Sequence, residues 1–235
     1  MTSTPPSAPR RVQFDIPEFG EPFGDEPDDL AGLAVSRETS LPKPPRTRTL
    51  VVANQKGGVG KTTTAVNLAT ALAMGGLNVV LIDLDPQGNA STALGIEHHE
   101  GIQGTYEVLA GNSPIESLIK PSPESGGLWV LPATIDLAGA EIGLVTTPAR
   151  ESRLLYALRA FTAKYSPDYV FIDCPPSLGL LTLNALVAAE EILIPIQCEY
   201  YALEGVSQLL RTINLVKGAM NDQLVLSTVL LTMYD

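Results

Sequence analysis

The segment Asn54-Gln55-Lys56-Gly57-Gly58-Val59-Gly60-Lys61-Thr62-Thr63 constrains this chain more than any other. It follows an apolar run of strand length, residues 49–54. It opens a stretch, residues 60–74, in which Ala65, Leu68, Ala69, Leu72 and Ala73 recur at the i, i+3, i+4, i+7, i+8 spacing of a helix buried on one face. A strand that turns through glycines into a helix points successive backbone N–H groups inward. The helix N-terminus adds partial positive charge at the same place, and the product is a cradle for phosphate oxygens. Lys61 then stands where it neutralises the terminal phosphates, and the Thr62 hydroxyl where it completes a Mg²⁺ shell. Thr63 follows, within reach of a phosphate nearer the ribose. The usual pattern, G-x-x-x-x-G-K-[ST], would put its first glycine at position 55, where this chain has Gln55 and then an extra cation, Lys56.

The rest of the chain fits one architecture. Apolar strand-length runs are predicted at 78–83, 128–131, 169–173, 191–196 and 224–232. Helical spacing is predicted at 105–118, broken by Gly111 and Pro114, and at 149–165 and 202–217. Continuously apolar strands alternating with helices imply an α/β fold, a mostly parallel sheet with helices on both faces. Two of the strands end in carboxylates: Asp83 followed by Asp85, and Asp173. An Asp at the carboxyl edge of a parallel sheet lies beside the phosphate loop. There it can hold Mg²⁺, directly or through water, or orient an attacking water. Residues 1–48 differ, with 9 of the 19 prolines and 8 acidic against 6 basic residues. They are expected to form a disordered tail. Within it Val12, Phe14, Ile16 and Phe19 alternate with polar residues, as a solvated tail or a short docking motif would.

Lys56-Gly57-Gly58-Val59-Gly60-Lys61-Thr62 resembles the deviant Walker A loop. VLIDLDPQGNAS at 80–91 and DYVFIDCPPSL at 168–178 are similar to that family's next two motifs. QCEYYALEG at 197–205 is close to the wording of the chromosome- and plasmid-partitioning ATPases, the ParA/Soj group. The resemblance runs from about residue 49 to 235 and implies a P-loop NTPase-like domain that uses ATP and Mg²⁺. It implies an ATP-dependent homodimer with two nucleotides at its interface, in which Lys56 reaches the partner's phosphates. Asp85 would position the hydrolytic water and Asp173, with Thr62, would serve the metal. The nucleotide-contacting set implied is Lys56, Gly57, Gly58, Val59, Gly60, Lys61, Thr62, Thr63, Asp85 and Pro175, with Lys56, Lys61 and Asp85 as its catalytic members. The resemblance also implies non-specific DNA binding, hydrolysis stimulated by a ParB-like centromere-binding partner, and a cytoplasmic, nucleoid-associated location.

Two departures qualify the expectation. Asp235 ends an apolar run, whereas family members continue further, so the domain at 49–235 reads as truncated at its C-terminus. From residue 49 onward 18 acidic residues oppose 9 basic ones, which predicts weak DNA binding, because phosphate neutralisation provides most non-specific affinity. Other functions fit less well. A bridging Fe–S cluster needs two thiolates per chain, but Cys174 follows Asp173 in a strand and Cys198 ends another, as small apolar residues would. Such cysteine usage suits a reducing compartment without disulfides. A MinD-like membrane ATPase needs a basic amphipathic anchor, and residues 202–217 carry only Arg211 and Lys217. No membrane partner is expected. A binding module without hydrolysis would not need Lys61, Thr62, Asp85 and Asp173 together. His98-His99 lacks a third ligand nearby and reads as a solvated loop.

Overall fold

The computed structural model describes residues 40–199 and 202–233. In chain order the elements are β1 (Arg48–Val52), α1 (Lys61–Met74), β2 (Val79–Asp83), α2 (Asn89–Ala93), α3 (Thr105–Ala110), β3 (Lys120–Pro121) and β4 (Leu128–Leu131). They continue with α4 (Ala140–Gly143), α5 (Arg153–Tyr165), β5 (Tyr169–Asp173), α6 (Leu180–Ala188), β6 (Glu191–Gln197), α7 (Ala202–Ala219) and β7 (Val225–Thr232). The strands form one sheet in the order β3-β4-β2-β5-β1-β6-β7. Every neighbouring pair is parallel except β3 with β4.

Both faces are covered over the central strands, which is why these show no apolar–polar alternation, whereas the edge strand β7 is exposed along most of its length. In β1, Leu50 and Val52 face α1 while Val51 packs into the opposite cluster. In β2, Val79 and Leu81 go with Leu50, and Val80 and Ile82 go with Val51. One cluster is closed by Ala65, Ala69 and Ala73, a stripe of small side chains that brings α1 close to the strands. The other is closed by Leu154, Leu158 and Phe161 of α5, Leu186 of α6 and Leu209 and Ile213 of α7. Each fully buried Leu, Ile or Phe contributes about 1.5–3 kcal/mol of transfer free energy, so the two clusters together hold the sheet between its helices.

Some expectations are corrected. The helix expected over 105–118 ends at Ala110, because Gly111 adopts φ +80° and Pro114 starts a separate short 3₁₀ turn at Ile115–Ser117. The helix expected from 149 begins at Arg153, after a 3₁₀ turn at Arg150–Ser152 entered through Ala149 at φ +52°. Residues 40–48, assigned to the tail from sequence, pack against the domain. Leu41 N–H donates to the Gly75 carbonyl at 2.8 Å, the Thr47 hydroxyl donates to the Pro167 carbonyl at 2.6 Å, and Arg48 already belongs to β1. Residues 1–39, including the Val12–Phe14–Ile16–Phe19 pattern, lie outside the described residues.

Candidate functional site

Because β1, β2, β5 and β6 run parallel, their carboxyl ends meet at one rim. Asp173 at the end of β5 pairs in register with Val52 on one side and Asp83 on the other. The loop 53–60 leaves β1 at that rim and turns into α1. Gly58 and Gly60 adopt φ +73° and +87°, a backbone region that side chains disfavour, and Gly60 is the residue from which α1 starts. A Cβ at Gly57 would meet nothing, so that glycine matters only if something external approaches the backbone closely. The first turn of α1 carries no acidic residue and no side-chain cap, which leaves its N–H groups free for an anion.

Neighbouring strands hold the loop. Asn54 Nδ2 donates to the Pro195 carbonyl at 2.6 Å, while Asn54 Oδ1 accepts the Lys56 N–H at 3.0 Å. The Thr232 hydroxyl, at the end of β7, donates to the Val59 carbonyl at 3.0 Å. Lys61 is 7 % exposed, and its Nζ donates to the Lys56 carbonyl at 3.1 Å. Burial lowers its pKa, while the nearby Asp173, Cys174 and Asp85 act in the opposite sense. Thr62 is half-buried at the start of α1, Thr63 is exposed, and Val59 and Pro175 are buried.

The three strand-end carboxylates have different surroundings. Asp83 is fully buried and fully used. Its Oδ1 accepts the Asp85 N–H at 3.1 Å, and its Oδ2 accepts the Ser91 N–H at 2.9 Å and the Ser91 hydroxyl at 2.8 Å. Burial still pushes its pKa up to about 6. Asp83 therefore folds the turn 84–91, in which Gly88 at φ +64° starts α2. Asp85, 7 % exposed, uses Oδ1 to accept the Gln87 N–H at 3.0 Å, which orients its carboxylate at the rim. Asp173 is fully buried, and neither of its carboxylate oxygens is held in a well-formed hydrogen bond, although the Thr62 hydroxyl lies close enough to interact with it. Burial first, and then the charges of Asp83 and Asp85, raise its pKa to about 7, while the Thr62 hydroxyl and Lys61 pull it down. A buried carboxylate without partners costs free energy unless a cation or its waters complete it. Asp173 with the Thr62 hydroxyl is an oxygen donor set of the kind Mg²⁺ takes.

The structure thus gathers Lys61, Thr62, Asp85 and Asp173 at one rim. The partly exposed Lys56 side chain reaches the end of β6, where its Nζ donates to Gln197 Oε1 at 2.9 Å and pairs with Glu199 Oε2 at 2.7 Å. These partners stand 141 and 143 positions away in the chain and were not assigned a role from sequence; the resemblance of the 197–205 stretch was their only mark. Ser91 was missed in the same way. Cys174 is buried, with its thiol pKa raised by that burial, and Cys198 is exposed just beyond β6. His98 Nε2 lies 2.8 Å from the Thr92 hydroxyl, and His99 Nδ1 lies 2.9 Å from the Glu100 carbonyl oxygen. Among the described residues no helix is long and apolar enough to cross a membrane.

An AAA-domain family matches residues 47–226. The chromosome partitioning protein ParA of Myxococcus xanthus is 57 % identical over 189 residues, which cover 80 % of this chain and 65 % of that protein. The sporulation initiation inhibitor protein Soj of Bacillus subtilis is 54 % identical over 186 residues, 79 % of this chain and 72 % of that one. Among solved structures, cobyrinic acid a,c-diamide synthase of Mycobacterium smegmatis, with a bound ATP analog and magnesium, is 46 % identical with TM-score 0.75, covering 80 % of this chain and 76 % of that one. A putative plasmid partition protein of Borrelia burgdorferi bound to AMPPNP is 27 % identical with TM-score 0.68, covering 81 % and 77 %. With its loop, its strand-end carboxylates and identity above one half to two such proteins, the chain belongs to the ParA/Soj family of chromosome partitioning proteins.

Proposed function

We propose that this chain is a partitioning ATPase that binds MgATP at the 54–63 loop, dimerises on it and is reset by hydrolysis. The observation that carries the reading is Asp173. It is a buried carboxylate that no well-formed hydrogen bond satisfies, in register beside the loop that presents Lys61 and Thr62. The loop N–H groups and Lys61 would take the β- and γ-phosphates, and Thr63 the phosphate nearer the ribose. Thr62 and Asp173 would hold Mg²⁺, directly or through water, and the bound ion supplies charge neutralisation at the phosphates. Asp85, oriented by its bond from Gln87, would align the attacking water. Lys56, with its partly exposed side chain, would reach the nucleotide of a second copy, which makes dimerisation depend on ATP. DNA bound without sequence preference, and a ParB-like partner that stimulates turnover, complete the cycle by analogy with the family. The Mycobacterium smegmatis protein is described as a diamide synthase, but higher identity to chromosome partitioning proteins favours partitioning.

The test is a pair of variants followed by calorimetry and phosphate release. Lys61→Ala should abolish MgATP binding, because the phosphates lose a charge-assisted partner. Asp85→Ala should keep binding and lose turnover by at least about a hundredfold. Unchanged ATP affinity in the first variant, or undiminished hydrolysis in the second, would overturn the assignment.

A further inference from the structure

Lys56 is not idle in the single chain. Its Nζ bonds Glu199 Oε2 at 2.7 Å and Gln197 Oε1 at 2.9 Å, and Gln197 Nε2 donates to Glu199 Oε1 at 2.7 Å. Both carboxylate oxygens are therefore used, one by the lysine and one by the amide that also binds the lysine. The backbone builds this triangle, since Glu199 N–H donates to the Gln197 carbonyl at 2.8 Å, which curls the chain back at the end of β6. A second tie runs beneath it, where Asn54 links the Lys56 N–H to the Pro195 carbonyl. The loop and the β6 end are thus positioned against each other independently of the charged pair. The side chains of Lys56 and Glu199 are 36 % and 51 % exposed, so water competes and the pair is weak enough to exchange.

We infer that Glu199 and Gln197 are positioning residues that hold Lys56 in its own chain and set the threshold at which a second copy's nucleotide captures it. This rests on the reading that Lys56 acts across a dimer. One ammonium cannot be saturated by Glu199 and Gln197 and also neutralise phosphate on another chain, so each chain must give up the clamp when two meet. An exposed ion pair of this kind shifts such an equilibrium about two- to fivefold per chain. Two chains multiply to about four- to 25-fold in the dimer dissociation constant. That size suits a threshold and not a lock.

Two measurements on the full chain separate the clamp from its consequence. In the nucleotide-free protein, amine labelling read by mass spectrometry reports how available Lys56 is, with exposed Lys217 as internal reference. Glu199→Gln should raise Lys56 labelling about two- to fivefold relative to Lys217, and Gln197→Ala should raise it in the same direction. With a slowly hydrolysed ATP analogue, sedimentation should find both variants dimerising at lower protein concentration than the parent. Gln197→Ala changes no charge, so a gain seen with Glu199→Gln alone would assign the effect to general electrostatics and overturn the clamp. Unchanged Lys56 labelling in both variants would overturn it too. A parent chain that stays monomeric with the analogue would remove the dimer reading and the threshold with it, while the labelling would still say whether the clamp exists.

Discussion

Three aspartates share one rim and cannot be exchanged for one another. Asp83 accepts from Asp85 and twice from Ser91, so Asp83→Ala strands three buried donors and should cost about 2–4 kcal/mol, read as a lowered urea midpoint. Asp173 accepts no well-formed hydrogen bond, and only the Thr62 hydroxyl stands near it. Asp173→Asn should leave the thermal midpoint of the nucleotide-free chain the same or higher, because it removes a buried charge, yet should lose Mg²⁺-dependent nucleotide binding. If both variants prove equally unstable, or if Asp173→Asn still binds MgATP like the parent, the division of labour is wrong. The sequence places all three at strand ends but cannot tell them apart. The difference lies in Ser91, eight positions beyond Asp83, whose hydroxyl turns back to it only in the folded chain.

Among the elements, strong periodicity and strong punctuation were legible, and saturation was not. α1, α5 and α7 each bury one face and show it in their spacing. α6, Leu-Leu-Thr-Leu-Asn-Ala-Leu-Val-Ala, is buried on most sides, so its apolar residues form no stripe and the helix went unassigned. Its two polar residues are accounted for: the Thr182 hydroxyl donates to the Ser177 carbonyl at 2.7 Å, and Asn184 Oδ1 accepts the Leu154 N–H at 3.2 Å while its amide donates to the Arg150 carbonyl at 2.8 Å. Lys56 was legible as an unusual cation, but its cis partners were not, because no local rule links positions 56 and 199. Elements are also tied by charge. The Arg48 guanidinium, at the start of β1, grips both Glu191 oxygens at the start of β6, each at 2.8 Å. That grip lowers the Glu191 pKa, Arg48 being the main cause. A depressed carboxylate adds stability that is present above its unfolded value and lost as pH falls through its folded one. Glu191→Gln should therefore cost about 0.5–1.5 kcal/mol at pH 7 for this partly exposed pair. The gap to the parent should begin to narrow as pH drops below about 4 and keep shrinking as pH falls through the lowered folded value. Urea midpoints of parent and variant at about pH 7 and pH 3.5 check this, and a gap as wide at the lower pH as at about pH 7 would contradict it.

On the scale of the whole molecule, the described residues are closed on one side by a strap. Residues 40–47 run across the amino-terminal ends of the strands. Leu41 lies against Gly75, Lys43 pairs with Asp168 at 3.5 Å, and Arg46 pairs with Glu190 at 2.6 Å. Removing residues 1–47 should cost about 1–3 kcal/mol more than removing 1–39, mainly through Leu41 and the Thr47 bond. Equal thermal midpoints for the two truncations would mean that the strap adds nothing to stability. The opposite rim has the Lys61 bond to the Lys56 carbonyl, which holds the loop in a curled shape by an acceptor of its own chain. An arriving phosphate then swaps one acceptor for another; it does not have to order a slack segment. In calorimetric terms, MgATP uptake by a single chain should be led by enthalpy. Its heat-capacity change should be small, because little apolar surface leaves water when a preformed cradle fills. A large negative value would mean that the loop and its neighbours fold around the nucleotide.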